Sequence, residues 1–178
     1  LFRSSSEMAG LLRNDHCEAM LYLVKAFQPI PHELIVEAAK QKGYSLMILR
    51  LSLAAYQLRR SIGTDGVFSR LTCAVRGITA GSTFATTELR IMLTMVVRVA
   101  YAKWPRLDLK LYIDDFTIAT TDSLKVATAI VAECASFVCT VLQSAYGLEL
   151  SAKKSKALGS TATVASALVR NSTGPRRP

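Results

Sequence analysis

Two short apolar runs, Leu109-Lys110-Leu111-Tyr112 and Phe116-Thr117-Ile118, meet at a pair of adjacent carboxylates, Asp114 and Asp115. β-branched and aromatic residues flank the pair on both sides, as strands prefer. The pattern predicts a hairpin over about Asp108 to Thr121 with the acids at its tip. Only a few places in a fold let two neighbouring acids stay hydrated and reach one cation, and a hairpin tip is one. Two such charges about 4 Å apart repel by about 4 kcal/mol at an effective dielectric near 20. A divalent cation removes that repulsion, and Mg²⁺ favours oxygen ligands of this kind. On local grounds alone, such a pair is more often a plain turn in which Asp suits the backbone.

The rest of the chain punctuates clearly. Residues 1–16 are polar and loosely patterned. Residues 17–25 alternate as a strand, with Met20, Tyr22 and Val24 on one face. Pro31 suits a helix start, the helix runs to about Lys42, and Gly43 ends it. Ser45 is placed to cap a second helix from Leu46 to Arg60, with Leu49, Ser52, Leu53 and Tyr56 at helical spacing. Ile62 to Gly66 is a turn cluster, and Val67 to Val75 reads as a strand. Ser82 or Thr83 caps a long helix to about Lys103, closed by Trp104-Pro105. Asp122 caps another long helix to Tyr146, with Gly147 just past it.

That last helix carries one charge, Glu133, between Val126 and Leu142. Its polar residues Glu133, Ser136, Thr140, Gln143 and Ser144 recur at steps of three and four. This is one solvated stripe on a helix that covers a sheet, not a membrane span. Residues 159–178, rich in Ser, Thr, Gly and Pro and ending Arg176-Arg177-Pro178, read as a disordered basic tail. The expected fold is α+β, a small antiparallel sheet with long helices on one face, in the split βαβ pattern of the ferredoxin type.

With 22 Lys and Arg against 13 Asp and Glu, the 178-residue chain has a net charge of +9. That balance favours an anionic partner, and nucleic acid is the common one. Cys17, Cys73, Cys134 and Cys139 form no Cys-x-x-Cys pair, and His16 and His32 have no finger spacing. Neither a zinc site nor a disulfide framework is indicated. Free thiols suit a reducing, intracellular compartment, cytoplasmic or nuclear. The chain opens on Leu without a charged start and apolar signal region, as expected of a fragment of a longer protein.

Four segments in order carry a resemblance. Leu21 to Leu34 (Leu-Tyr-Leu-Val-Lys-Ala-Phe-Gln-Pro-Ile-Pro-His-Glu-Leu), Arg76-Gly77-Ile78-Thr79-Ala80-Gly81-Ser82 with the helix after it, Tyr112-Ile113-Asp114-Asp115, and Gly147 to Lys156 follow one another. They resemble motifs A, B, C and D of reverse transcriptases of the non-LTR retroelement and group II-intron-like type. The resemblance covers residues 17–158 and implies a polymerase palm domain. It further implies RNA-directed DNA polymerase activity with Mg²⁺ or Mn²⁺, an RNA template, a DNA primer and dNTPs as partners, and no membrane.

By the same resemblance Asp114 and Asp115 are metal ligands and catalytic. Lys154, with Lys153 nearly as well placed, steadies the leaving pyrophosphate. Phe27 packs under the sugar, and Arg76, Gly77, Gly81 and Tyr112 lie at the nucleotide. Fingers and thumb would come from a longer polyprotein.

The resemblance also has a gap. Tyr22 stands where motif A carries its metal-binding Asp, Gln28 replaces a second acid, and Ala80 stands where motif B usually has Gln. Glu18 shares the face of Tyr22 but lies about 13 Å along the strand. A phenol ligates only as phenolate, and its ordinary pKa is about 10. Impaired polymerase chemistry is therefore the expectation. The alternative is a non-catalytic relic that binds nucleic acid through its basic surface.

Overall fold

Alternation along the first strand decides how the chain is layered. In the computed structural model, which describes residues 14–79 and 81–173, β1 spans Asp15–Val24. Cys17, Ala19, Leu21 and Leu23 are buried on its inner face, while Glu18, Met20, Tyr22 and Val24 lie half-buried on the other. This period of two follows from the pleat.

Next come helices α1 (His32–Lys42) and α2 (Leu46–Tyr56), then a short hairpin of β2 (Gly63–Thr64) and β3 (Val67–Phe68). Helix α3 (Ala85–Lys103) leads to the hairpin of β4 (Asp108–Tyr112) and β5 (Asp115–Asp122). Helix α4 (Leu124–Tyr146), strands β6 (Glu149–Leu150) and β7 (Lys156–Gly159), and helix α5 (Ala162–Thr173) complete the described chain.

The main sheet is antiparallel and open, in the order β4-β5-β1, with β6 and β7 both paired to the far edge of β1. Helices α4 and α5 pack on β1, α4 also covers β5, and α3 packs on α4 and α1. All of this lies on the face of Leu21, Phe116 and Ile118, which are buried in one core cluster. The fold is thus α+β with long helices on one face of an open antiparallel sheet, the ferredoxin-like arrangement expected of a palm.

The polar stripe of α4 is solvated as its spacing implies. Glu133, Ser136, Thr140, Gln143 and Ser144 are all exposed, while Val131, Cys134, Val138 and Leu142 are fully buried. The helix is long and apolar enough to cross a bilayer, but its apolar stripe is spent on the sheet.

Several boundaries differ from expectation, each for a local reason. Helix α2 stops at Tyr56, short of Arg60, because Arg60 exchanges backbone hydrogen bonds with Thr72. The turn cluster at Ile62–Gly66 contains strand β2. The expected strand over Val67–Val75 shrinks to Val67–Phe68 plus that one bridge, since nothing in the described chain lines its outer edge.

Helix α3 starts at Ala85 with Phe84 as N-cap, not Ser82 or Thr83. The Ser82 hydroxyl instead accepts from the Phe84 N–H, and the Ser82 carbonyl accepts from the Ala85 N–H. Ser123 rather than Asp122 is the N-cap of α4. Asp122 is engaged by Arg106 at 3.1 Å. Gly43 and Gly147 end their helices in the left-handed region, as placed.

The segment 159–178 is not a disordered tail over its described length. Residues 162–173 form α5, which buries Val164 and Leu168 against the sheet and α4. Asp15 and His16, read as part of an unpatterned leader, belong to β1. The remainder of that leader, residues 174–178 and Ala80 lie outside the described residues.

Candidate nucleic-acid and metal site

The acidic pair sits where its flanking strands put it. Strands β4 and β5 register Tyr112 opposite Asp115, so only Ile113 and Asp114 make the connection. A two-residue hairpin loop needs positive φ at one or both positions. Here Ile113 takes it, at φ 57. A β-branched residue there is an outlier that costs about 1–3 kcal/mol. Its side chain is partly buried against the core, and that packing helps to hold the strained turn. Tyr112 is 75 % exposed, so its ring faces solvent beside the acids.

Strand β5 runs on beside β1 and brings Asp115 directly opposite Tyr22. The motif A position and the acidic pair are therefore neighbours on the open face of the sheet. Burial pushes the Asp115 carboxyl above the ordinary carboxylate range, and the Asp114 charge pushes it the same way. The Lys154 ammonium works in the opposite sense, which places the motif D lysine in the field of this pair.

How Lys154 arrives there is visible in the pairing of β1 with β6 and β7. Leu23 pairs with Leu150 and Met20 with Lys156. Two residues of β1 thus face five residues of the β6–β7 segment, and 151–155 must loop out. The loop is pinned on Tyr22. The Ser151 N–H donates to the Tyr22 carbonyl at 2.8 Å, and the Tyr22 N–H donates to the Ser155 hydroxyl at 3.2 Å. Lys153 and Lys154 are exposed on this loop. The two serines were not among the residues singled out from sequence; their only signal was that Ser stands at both ends of Ser151-Ala-Lys-Lys-Ser155.

Motif B is tied to motif A rather than to the acids. The Gly77 N–H donates to the Ile30 carbonyl and the Ile78 N–H to the Phe27 carbonyl, both at 2.7 Å. A His32 ring nitrogen sits 2.9 Å from the Gly77 carbonyl. Gly77 has φ 94, and a Cβ on it would lie 2.9 Å from the Gln28 carbonyl oxygen. Close approach of two loops within the chain therefore accounts for this glycine. Gly81 has φ 88 with open space where its Cβ would be, so its turn alone requires it. Arg76 is exposed and held by a backbone bridge to Pro31. Phe27 is half-buried against the core, at the turn where the Gln28 N–H donates to the Lys25 carbonyl.

Tyr22, Asp114, Asp115 and Lys154 thus come together, while Phe27, Arg76, Gly77 and Gly81 form a second group around the A–B contact. Among the described residues no group of three or more His, Cys, Asp and Glu side chains could hold a metal. Two carboxylates make a donor set for one weakly held oxygen-seeking cation, and Tyr22 adds no third carboxylate. They do not fit the pair of ions about 4 Å apart that two-metal phosphoryl transfer uses.

No family model and no curated protein matches the sequence. Among solved structures the chain is similar to apo telomerase from Candida tropicalis truncated from its C-terminal domain. The TM-score is 0.60 at 11 % identity, over 89 % of this chain and 36 % of that one. At that identity the likeness shows a reverse-transcriptase-like fold alone. The chain spans about a third of the length of the telomerase structure that it matches.

Proposed function

We propose that this domain is a reverse-transcriptase palm of the non-LTR retroelement and group II-intron-like type. In this reading it retains nucleic-acid binding and has lost nucleotidyl transfer through the change at Tyr22. The observation that carries the reading is the register of β1 against β5. It sets Tyr22 directly opposite Asp115, on the strand and the face where motif A of an active enzyme presents its carboxylate.

The frame for the chemistry persists around that gap. Asp114 and Asp115 are at a strained hairpin tip, and Lys154 approaches Asp115. When bound, a Mg²⁺ or Mn²⁺ ion at Asp114 and Asp115 would supply positive charge for phosphate oxygens. Lys154 would add a second positive group, and the exposed ring of Tyr112 offers a surface for a base or sugar. A phenol at position 22 brings no carboxylate to this set.

Charge distribution supports the binding half of the proposal. Between residues 25 and 107 the chain has twelve Lys and Arg and four Asp and Glu. Such an excess attracts a phosphate backbone without reading sequence. RNA template, DNA primer and dNTP are the partners this reading gives the domain.

A chimera tests the catalytic half. This palm is placed between the fingers and thumb of an active enzyme of the same type, once with Tyr22 and once with Tyr22→Asp. Primer extension on an RNA template is expected to be absent with Tyr22 and measurable with Tyr22→Asp. Robust extension with Tyr22 in place would overturn the reading of motif A.

A further inference from the structure

The helical side of the molecule has an apolar surface that the proposed function does not use. Helix α2 turns Met47, Leu51 and Leu58, the last just beyond its end, outward at steps of four and seven, all more than half exposed. The β2–β3 hairpin, tied to the chain just beyond α2 by the Arg60–Thr72 bridge, bares further apolar side chains. Val67 is 75 % and Phe68 is 72 % exposed. Consecutive strand residues point to opposite faces, so the hairpin bares apolar side chains on both. A lone two-stranded hairpin is marginal in water, and exposed apolar side chains gathered in one segment in this way mark an interaction site.

A groove of about 520 Å³ opens on the same side. Its walls are Leu51, Ala55 and Phe84, and its floor carries Ser52, Tyr56 and Ser82. Tyr56 is fully buried and donates from its hydroxyl to Glu88 at 2.6 Å, so the floor is fixed. The groove is sized for one or two large side chains.

Charge selects the occupant. Residues 46–79 contain five arginines and a single acid, Asp65. A second copy of this surface would meet it with like charge. The undescribed ends of the chain are themselves basic, with Arg3, Arg13, Arg176 and Arg177 against Glu7. The exposed side chains are mostly aliphatic, and base stacking requires aromatic ones. A flat anionic membrane can touch only one face of the hairpin.

We infer that α2 and the β2–β3 hairpin dock an acidic amphipathic helix of another protein. One of its large apolar side chains enters the groove between Leu51 and Phe84, and its acids face Arg50, Arg59 and Arg70. This is the helix-in-groove mode of recognition, and it is independent of the polymerase chemistry.

The test is a titration of the isotope-labelled chain, followed by NMR, with a synthetic Leu/Glu peptide bearing leucine at the a and d positions of each heptad. Controls are its scramble, its Leu/Lys counterpart, an oligo(U) RNA, and vesicles of equal phosphatidylserine and phosphatidylcholine. The Leu/Glu peptide is expected to shift amides at 46–58, 62–71 and 81–84, and the other two peptides are not. The exposed, charge-neutral substitutions Leu51→Ser and Phe68→Ser should each weaken the peptide about tenfold, about 1.4 kcal/mol, and leave oligo(U) binding unchanged. Equal binding of the scramble would overturn the inference. So would oligo(U) or vesicles engaging these residues while the Leu/Glu peptide does not, or tight peptide binding that neither substitution weakens.

Discussion

Tyr22 stands directly opposite Asp115 in the β1–β5 ladder. The facing pair therefore holds a phenol and one acid where the motif resemblance implies two acids. Asp115 still feels burial and the Asp114 charge, and both raise its carboxyl pKa in the folded state. A folded-state pKa above the unfolded value means that the native chain holds a proton longer. Stability then falls as pH rises from the ordinary carboxylate pKa, about 3.9, through the raised one. Asp115→Asn removes the charge and keeps the shape. It should stabilise the domain at pH 7, with a gain that shrinks as pH falls toward about 4. Urea unfolding of both proteins across that range measures it, and a gain that grew on acidification would refute the assignment.

The two motif B glycines should respond unequally to the same substitution. Both have φ near 90°, but only Gly77 has a neighbour in the way, the Gln28 carbonyl oxygen at 2.9 Å. Gly81→Ala is expected to cost about 1 kcal/mol in backbone strain. Gly77→Ala adds a backbone clash and should cost roughly 2–4 kcal/mol. Chemical denaturation of the two variants distinguishes them, and equal costs would show that the A–B contact yields freely.

Helix α5 should prove part of the core. Leu168 is 1 % exposed within the main cluster. Leu168→Ala is expected to destabilise by about 2–5 kcal/mol. A melting temperature unchanged by that substitution would mean that residues 162–173 do not pack on the sheet.

Binding of single-stranded RNA should be driven by phosphates. Its affinity is expected to fall with salt by about 0.7 decades per decade for each phosphate neutralised. Fluorescence anisotropy with homopolymers of different base should give similar affinities at each salt concentration. Salt-independent binding, or a strong preference for one base, would point to another mode of recognition.

What the sequence made legible was whatever depends on local chemistry. The alternation in β1, the strand–acid–strand pattern of the β4–β5 hairpin and the helix-ending glycines 43 and 147 are properties of a few neighbouring residues. The facing of Tyr22 and Asp115 is a long-range pairing, which no pattern of neighbouring residues shows. Helix α5 was hidden because its stability rests on Val164 and Leu168 meeting a distant sheet, while its polar composition reads as solvated chain. The strand expected over Val67–Val75 failed for the opposite reason, since its pattern asks for a neighbour that the described fold does not provide. The clamp of Ser155 on Tyr22 joins residues 133 apart, and no local pattern announces such a bond.

Metal affinity tests the proposed loss of a ligand at Tyr22 most directly. Mn²⁺ titrated into the labelled chain should broaden amides around 112–117 weakly, because Asp114 and Asp115 are the carboxylates that the described residues bring to the site. Tyr22→Asp adds a carboxylate opposite Asp115 and should tighten Mn²⁺ at least about tenfold, a gain of about 1.4 kcal/mol. The broadening should then extend to residues 20–24 and 151–155. Equal affinity in the two proteins, or broadening centred away from 112–117, would contradict the assignment of Tyr22 to the lost ligand position.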